Sequence, residues 1–379
     1  MKNTWQTKEF EDCLQKVVYT TKIQRNAFLD AGTFPIISQE QDYINGYWNN
    51  KSDLFKVTTP VIIFGDHTQV LKYIDFDFVL GADGVKILQP QKFLYPKFFY
   101  YYLQSVDLKT LGYARHYRLL KELQLSYPES LPEQQRIVKI LDEVFAAAAK
   151  AKENAEKNLA NAAELFQSYL QSVFANPGKG WEEKKLGEIT EEMMTGPFGS
   201  MLHKSDYVED GTPVVNPQNI IDGKILPLQK TMISAKTTLR LKKYMLKKND
   251  IVMARRGEMG RCAIVTDNEI GWLCGTGSLV IRLKNNADEK FINTYLSSDK
   301  SKEALLKASI GTTMSNLNQG ILSDLAISLP PLKEQHSIVA KLDALSAETK
   351  KLEAIYKQKL SALEELKKSV LQKAFSGGL

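Results

Sequence analysis

Cysteine and histidine are scarce in this chain of 379 residues, which has three of the one, Cys13, Cys262 and Cys274, and four of the other. An odd number of thiols with no C-x-x-C pair gives neither a disulfide framework nor a zinc ribbon. His67, His116, His203 and His336 lie far apart and match no spacing used to ligate a metal or activate a nucleophile. No G-x-x-x-x-G-K-[ST] phosphate loop occurs and no G-x-G-x-x-G follows a strand-like run; Gly275-Thr276-Gly277-Ser278 comes nearest and reads as a turn. No apolar run approaches the roughly eighteen residues of a membrane span, and Met1-Lys2-Asn3-Thr4-Trp5 does not open a signal peptide. These absences predict a cytoplasmic chain without catalytic residues, metal or cofactor of its own.

What the chain does have is a long repeat. Glu133-Gln134, Ile137-Val138 and Leu141-Asp142 return 201 positions later as Glu334-Gln335, Ile338-Val339 and Leu342-Asp343. From Glu133 to Phe174 the two copies align without a gap, and 15 of the 42 paired positions are identical. Solenoid units recur every 20 to 50 residues or so, which this spacing far exceeds. The pattern is that of a duplicated module, a globular part followed by a long helix.

Punctuation along the chain agrees. Residues 1–130 carry strand-like runs such as Pro60-Val61-Ile62-Ile63-Phe64 and Val85-Lys86-Ile87-Leu88 between Gly, Asp and Asn. Residues 131–178 read as one helix, rich in Ala, Lys and Glu, entered at Pro132 and closed by Asn176-Pro177-Gly178. At 1.5 Å per residue such a helix is about 65 Å long. Residues 179–331 are again β-rich, with Asp250-Ile251-Val252-Met253-Ala254 and Ser278-Leu279-Val280-Ile281, and 332–379 form the second long helix. Weaker echoes tie the globular parts together: Trp5, Lys8 and Phe10 match Trp181, Lys184 and Leu186, while Leu123, Leu125 and Pro128 match Leu325, Ile327 and Pro330.

Both helices carry a heptad pattern. Its expected members are Ile338, Leu342, Leu345, Leu352, Tyr356, Leu363, Leu366 and Val370 in the second helix. In the first they are Ile137, Leu141, Val144, Ala148, Ala151, Ala155, Ala162, Leu165 and Tyr169. An alanine-rich stripe facing a leucine-rich one lets two helices approach closely, so each is the expected partner of the other. The fold class that follows is α+β: two similar, mixed β-rich domains separated by two long helices in an antiparallel coiled coil, a pseudo-twofold internal duplication.

The net charge of +6 is compatible with an anionic partner without requiring one. Lys236, Arg240, Lys242, Lys243, Lys247 and Lys248 form a run with no acid among them, enough to neutralise several phosphates if they share a face. A solvated surface stretch is the alternative. Arg255-Arg256-Gly257-Glu258-Met259-Gly260-Arg261 follows a strand-like run, and the planar guanidinium fork suits phosphate and the guanine edge. Arg115-His116-Tyr117-Arg118 is expected in a comparable place in the first domain. Asn216, Gln218 and Asn219, and Gln39 and Gln41, are amides of the kind that read adenine, and are equally suited to turns.

In their order and spacing these segments resemble the DNA-specificity subunit of type I restriction-modification systems. Thr195-Gly196-Pro197-Phe198-Gly199-Ser200, Pro213-Val214-Val215-Asn216-Pro217-Gln218-Asn219, Ile251-Val252-Met253-Ala254-Arg255-Arg256-Gly257, Gly275-Thr276-Gly277-Ser278 and Leu329-Pro330-Pro331-Leu332 carry the resemblance in the second half. Trp5, Pro60-Val61-Ile62-Ile63-Phe64, Gly84 and Leu131-Pro132-Glu133-Gln134 carry it in the first, which has no Gly-Pro-Phe-Gly or Arg-Arg-Gly segment. The resemblance implies two target-recognition domains, each binding one half of a split site on double-stranded DNA. It also implies a helical spacer on which two methyltransferase subunits dock, and a motor and nuclease subunit that completes the complex. S-adenosylmethionine, ATP and Mg would belong to those partners, and no membrane is involved. The candidate DNA-contacting residues are Arg115, His116, Tyr117, Arg118, Gly196, Phe198, Ser200, Lys204, Asn216, Gln218, Asn219, Lys242, Lys243, Arg255, Arg256 and Arg261. Two other readings stay open on the residues alone: the recognition subunit of a system whose partner fuses methyltransferase and nuclease, and a coiled-coil interaction protein with no DNA role.

Overall fold

The computed structural model describes residues 5–109, 112, 114–227, 231–309 and 317–379. The chain folds into two compact units, Met1–Lys157 with Tyr356–Leu379 and Asn158–Ile355, so each unit contains part of both long helices, Leu131–Ala175 and Leu332–Phe375.

In the first unit Val61–Gly65 is the central strand of an antiparallel sheet between Leu71–Ile74 and Val85–Leu88. Its unbroken apolar run is explained by burial on both faces. Alternation with a period of two sends Ile62 and Phe64 into one core, with Phe98, Phe99 and Leu125, and Val61 and Ile63 into another, with Phe78 and Leu80. A second sheet holds Phe34–Ile37 parallel to Phe78–Gly81, and Trp5–Glu9 pairs antiparallel with Gln124–Pro128 to bring the chain back to the long helix.

The second unit repeats this plan. Ile251–Ala254 is flanked by Cys262–Ile264 and Ser278–Leu283, with Ile251 and Met253 facing one core and Val252 the other. Thr212–Val215 runs parallel to Leu273–Cys274, and Glu182–Lys185 pairs with Ala326–Leu329. Phe10 N–H donates to the Leu123 carbonyl at 2.9 Å, and Leu186 N–H to the Leu325 carbonyl at 2.8 Å, so the sequence echo of these residues is a structural equivalence.

The repeated helix-start motif does the same work in both units. Gln134 and Gln335 are fully buried. The Gln134 amide accepts from Tyr95 N–H at 2.7 Å and donates to the carbonyls of Phe93 and Pro128 at 3.0 and 2.8 Å. Gln335 accepts from Asp288 N–H at 2.8 Å and donates to Asn286 and Pro330 at 3.3 and 2.8 Å. Each amide thereby ties the long helix to the segment that opens the domain's own helix, Pro96–Ser105 or Glu289–Ser297. Asp142 and Asp343 then pair with Lys97 and Lys290 on those helices, at 2.8 and 3.0 Å.

Within each unit the two long helices run antiparallel. Ile137, Val138 and Leu141, near the start of the first, share a core with Leu371 and Ala374 near the end of the second, and Lys152 reaches Glu364 at 3.2 Å. In the other unit Leu170 and Phe174 share a core with Val339 and Leu342. Phe375 packs on Phe98 with ring centroids 5.1 Å apart, and its repeat partner Phe174 packs on Phe291 at 5.6 Å. Ala148, Ala155 and Ala162 are buried, as the heptad reading expects. Leu165, Leu352 and Leu366 are not: they are 52%, 37% and 44% exposed, and the inward positions are Leu159 and Phe166, Glu353, Leu360 and Lys367. The set Leu342, Thr349, Tyr356, Leu363 and Val370 lies on the inner side, but its companion set falls one residue later than expected. A count of apolar residues favours Leu352 and Leu366 over the charged Glu353 and Lys367, whose stems lie along the inner side while their heads stay in water. Beyond the end of the second helix at Phe375, Gly377 has a φ of +78° that lets Gly378 N–H reach back to the Lys373 carbonyl at 2.9 Å.

All three cysteines are buried and free, and burial pushes the Cys13 and Cys262 thiols up to about 11 and that of Cys274 to about 12. Among the described residues no helix is long and apolar enough to cross a membrane.

Candidate nucleic-acid interface

Parallel pairing decides where the loops gather. Because Val215 and Cys274 are neighbours on parallel strands, the chain leaves both strands at the same end, and Gly275 N–H donates to the Val215 carbonyl at 2.9 Å. The two exit loops are packed closely on each other, which is why glycine is needed there: a Cβ on Gly275 would stand 2.2 Å from Asn216 Oδ1, and one on Gly277 2.8 Å from Pro217 Cδ. Gly196 is packed as tightly, 2.0 Å from the Gly275 carbonyl if it carried a Cβ. It is a packing residue that seats its loop, and the Thr276 hydroxyl completes the seat by donating to the Pro197 carbonyl at 2.6 Å.

Onto this pair of loops the turn after Ile251–Ala254 is tied from two sides. Arg255 N–H donates to the Gly277 carbonyl at 2.9 Å. Leu317 N–H donates to the Arg255 carbonyl at 3.0 Å, and the Arg255 Nε returns a bond to the Leu317 carbonyl at 3.0 Å. An open cleft of about 650 Å³ results, lined by Thr195, Phe198, Arg255, Arg256, Thr276 and the Asn318–Gly320 segment, with no acidic side chain among the described residues of its lining. Burial, and after it the charge of Arg256, lowers the Arg255 guanidinium from its ordinary value, so two like charges are held together at the cleft. Such a site favours an anionic or acceptor-rich ligand.

The expected contact residues divide by exposure. Phe198, Ser200, Lys204, Gln218, Lys242, Lys243 and Arg256 are exposed. Asn219 is buried, its Oδ1 accepting from Asn216 N–H at 2.9 Å and its Nδ2 donating to Leu226, so it holds the turn that presents Asn216 and Gln218. Arg261 is half-buried and paired with Glu258 at 2.8 Å. In the acid-free run, Arg240 pairs with Asp206 at 2.8 Å and Lys248 with Asp267 at 2.8 Å, acids supplied from elsewhere in the chain. The Asp206 carboxyl is held below its usual range, first by the His203 N–H.

The first unit contains the same knot with other side chains. Asp66 N–H donates to the Gly84 carbonyl at 2.7 Å and the Asp66 carbonyl accepts from His116 N–H at 2.7 Å, the two bonds that Arg255 makes with Gly277 and Leu317. A Cβ on Gly84 would meet Gln39 Oε1 at 2.6 Å, as one on Gly277 would meet Pro217. This corrects one expectation: Arg115-His116-Tyr117-Arg118 is the counterpart of the segment around Leu317–Gly320, and the Arg-Arg-Gly turn is matched by the turn that starts at Asp66. Arg115 and Arg118 are exposed. His116 is 1% exposed and Tyr117 half-buried, its N–H bound by Asp66 Oδ1 at 2.8 Å. These two position the segment. Thr276, Asn318 and Gln319 line the cleft and were not among the expected contact residues.

Comparison with known proteins agrees with this architecture. The family model described as the type I restriction modification DNA specificity domain matches residues 2–159 and 178–363. The EcoBI specificity subunit of Escherichia coli is 24% identical over 367 residues, 88% of this chain and 75% of the relative. The MjaVIII specificity subunit of Methanocaldococcus jannaschii is 22% identical over 320 residues, 79% of this chain and 74% of the relative. The solved HsdS subunit of Thermoanaerobacter tengcongensis superposes with a TM-score of 0.65 at 18% identity, covering 99% of this chain and 97% of the other. A chain from a structural study of the assembly and conformational transition of a type I R-M system gives 0.71 at 17% identity, covering 99% and 98%. With both β-rich units matched by one domain model, the chain belongs to the type I restriction-modification DNA specificity family.

Proposed function

We propose that this chain is the DNA-reading subunit of a type I restriction-modification complex and takes no chemical step itself. Each unit binds one half of a bipartite target through its knot of loops. The paired long helices set the distance between the half-sites and provide the surface on which two methyltransferase subunits dock. A motor and nuclease subunit joins that assembly, and S-adenosylmethionine, ATP and Mg are held by the partners. One observation supports this most: the same hydrogen-bonded knot occurs in both units, but Asp66 stands in one where Arg255 stands in the other. A conserved frame with different chemistry at equivalent positions suits two readers of different sequence.

The test is binding of duplex DNA by the full chain assembled with its methyltransferase subunits, across a salt series. Phosphate-anchored binding weakens steeply, with a slope of log K against log salt of about −0.9 per phosphate neutralised. Salt-insensitive binding, or none, would instead favour an interaction protein without a DNA role.

A further inference from the structure

We infer that Lys22 and Lys86 of the first unit form a phosphate-binding site for DNA, in place of the arginine turn that this unit lacks. This rests on the DNA-binding reading above and extends it to two residues outside the expected contacts. The likeness of the two central sheets locates them. Gly65 pairs with Val85 and Phe64 with Lys86, as Ala254 pairs with Ser278 and Met253 with Leu279, so the strands Val85–Leu88 and Ser278–Leu283 correspond. In the second unit Thr190–Thr195 covers the far side of that strand, and the Ser278 carbonyl accepts from Gly196 N–H at 3.0 Å. Thr195 and Phe198, on either side of Gly196, line the cleft. In the first unit Val85–Leu88 is an edge strand among the described residues, and side chains cover it instead. The Tyr19 hydroxyl accepts from Ile87 N–H at 3.0 Å, and the Lys22 ammonium donates to the Val85 carbonyl at 3.4 Å. Lys22 Nζ therefore stands in the seat that Gly196 N–H takes at the mouth of the second unit's cleft.

Lys86 follows on the same edge, and the two ammoniums are arranged alike: Lys22 lies over the Tyr19 ring and Lys86 over the Tyr117 ring, each at 5.2 Å. Neither is neutralised at close range. Lys86 comes no nearer than 4.0 Å to Asp66, a buried carboxylate whose Oδ1 already accepts from Tyr117 N–H. Lys22 makes one long hydrogen bond and keeps N–H groups to spare, while Asp83 and Asp66 attract it from farther off. Burial, and after it the charge of Lys86, lowers the Lys22 ammonium from its ordinary value, so the two cations act on each other. Lys121, which also lies over Tyr117, is instead paired with Glu11 at 2.6 Å. An anion beside Lys22 and Lys86 relieves their repulsion. A phosphate brings a full negative charge, whereas the acceptors of a base edge bring partial ones. The ammonium is a compact point charge without the planar fork that recognises a base edge in two bonds, and the cations already cover one face of each ring. These features select phosphate over a base.

The experiment uses the full chain with its methyltransferase subunits, as wild type, K22M, K86M and K22R. Duplex binding is measured across a salt series, and bound DNA is selected from a library randomised over the target. K22M and K86M should each make the slope of log K against log salt shallower by about one, weakening all sequences alike. The bases preferred in both half-sites should stay the same, and K22R, which keeps the charge, should keep the wild-type slope. Thermal melting of each variant checks folding. Should K22M fold poorly, K86M decides, since its side chain donates no hydrogen bond among the described residues. An unchanged slope in a folded variant overturns the site. A lost base preference at one position overturns it as well, because a lysine can also contact guanine. Wild-type binding that does not respond to salt would instead overturn the DNA-binding function itself.

Discussion

Asp66 and Arg255 occupy equivalent seats in the two units: each donates its backbone N–H to a loop glycine, Gly84 or Gly277, and each accepts from the residue that leads into a short helix, His116 or Leu317. The side chains act on the same neighbouring segment in opposite ways. Asp66 Oδ1 accepts from Tyr117 N–H at 2.8 Å, whereas Arg255 Nε donates to the Leu317 carbonyl at 3.0 Å. R255A and D66A should therefore each loosen that segment, at a cost of about 1.5–3 kcal/mol for a hydrogen bond to a charged group. Urea denaturation measures it. R255A should weaken the second unit's half-site without changing which bases are preferred; a changed preference with unchanged stability would make Arg255 a reader.

The buried glutamines carry a second prediction. Q134A would strand the N–H of Tyr95 and the carbonyls of Phe93 and Pro128, and Q335A would strand the N–H of Asp288 and the carbonyls of Asn286 and Pro330. An unmet buried polar group costs about 1–3 kcal/mol, and the groups in each cluster share one cavity, so each variant should lose about 2–4 kcal/mol. The two losses should be alike, since the two clamps are. A loss under about 1 kcal/mol in either, measured by chemical denaturation, would mean that water replaces the amide without cost.

These elements differ in how legible they were in the sequence. The long helices could be read because Pro132, the Asn176-Pro177-Gly178 stop and a gapless repeat all mark the same boundaries. The central strands Val61–Gly65 and Ile251–Ala254 could be read from their unbroken apolar runs. The heptad was legible in its period but misplaced by one residue in one of its two sets, because the apolar Leu165, Leu352 and Leu366 face outward while the charged Glu353 and Lys367 lie on the inner side. The knot of loops was the least visible. It is made of backbone bonds between segments as far apart as Arg255 and Leu317, which leave no spacing to detect. Glycines at 196, 275 and 277 were the trace it left, and their reason, close packing of one loop on the next, is a tertiary fact. His116 and Asn219 were expected as contacts from the segments they belong to, and burial makes them supports.

Lys72 predicts a pH dependence in the first unit. It is 3% exposed, and its ammonium donates to Asn45 Oδ1 at 2.9 Å and to the Asp42 carbonyl, pinning the loop that follows Phe34–Ile37. Burial pushes it from the ordinary 10.5 down to about 8, against the upward pull of Glu40 and Asp42. Between those two values the unfolded chain holds the proton and the folded chain does not, so this group makes stability rise with pH across that window. Below pH 8 both states are protonated and the burial penalty is fully present. The stability of wild type relative to K72M should therefore climb from about pH 8 to about pH 10. A flat difference in urea titrations would show that Lys72 is solvated in the folded unit.

The central claim is that two readers share one spacer, and sequencing of methylated DNA tests it most directly. The chain would be co-expressed with its methyltransferase subunits in cells without other methylation, both unaltered and with about seven residues, two helical turns, inserted in the Ala148–Ala162 stretch of the first long helix. The account predicts a split motif of two short half-sites in both strains, with the same half-sites and a longer gap after the insertion. A single contiguous motif, or half-sites whose bases change with the insertion while the gap does not, would contradict it.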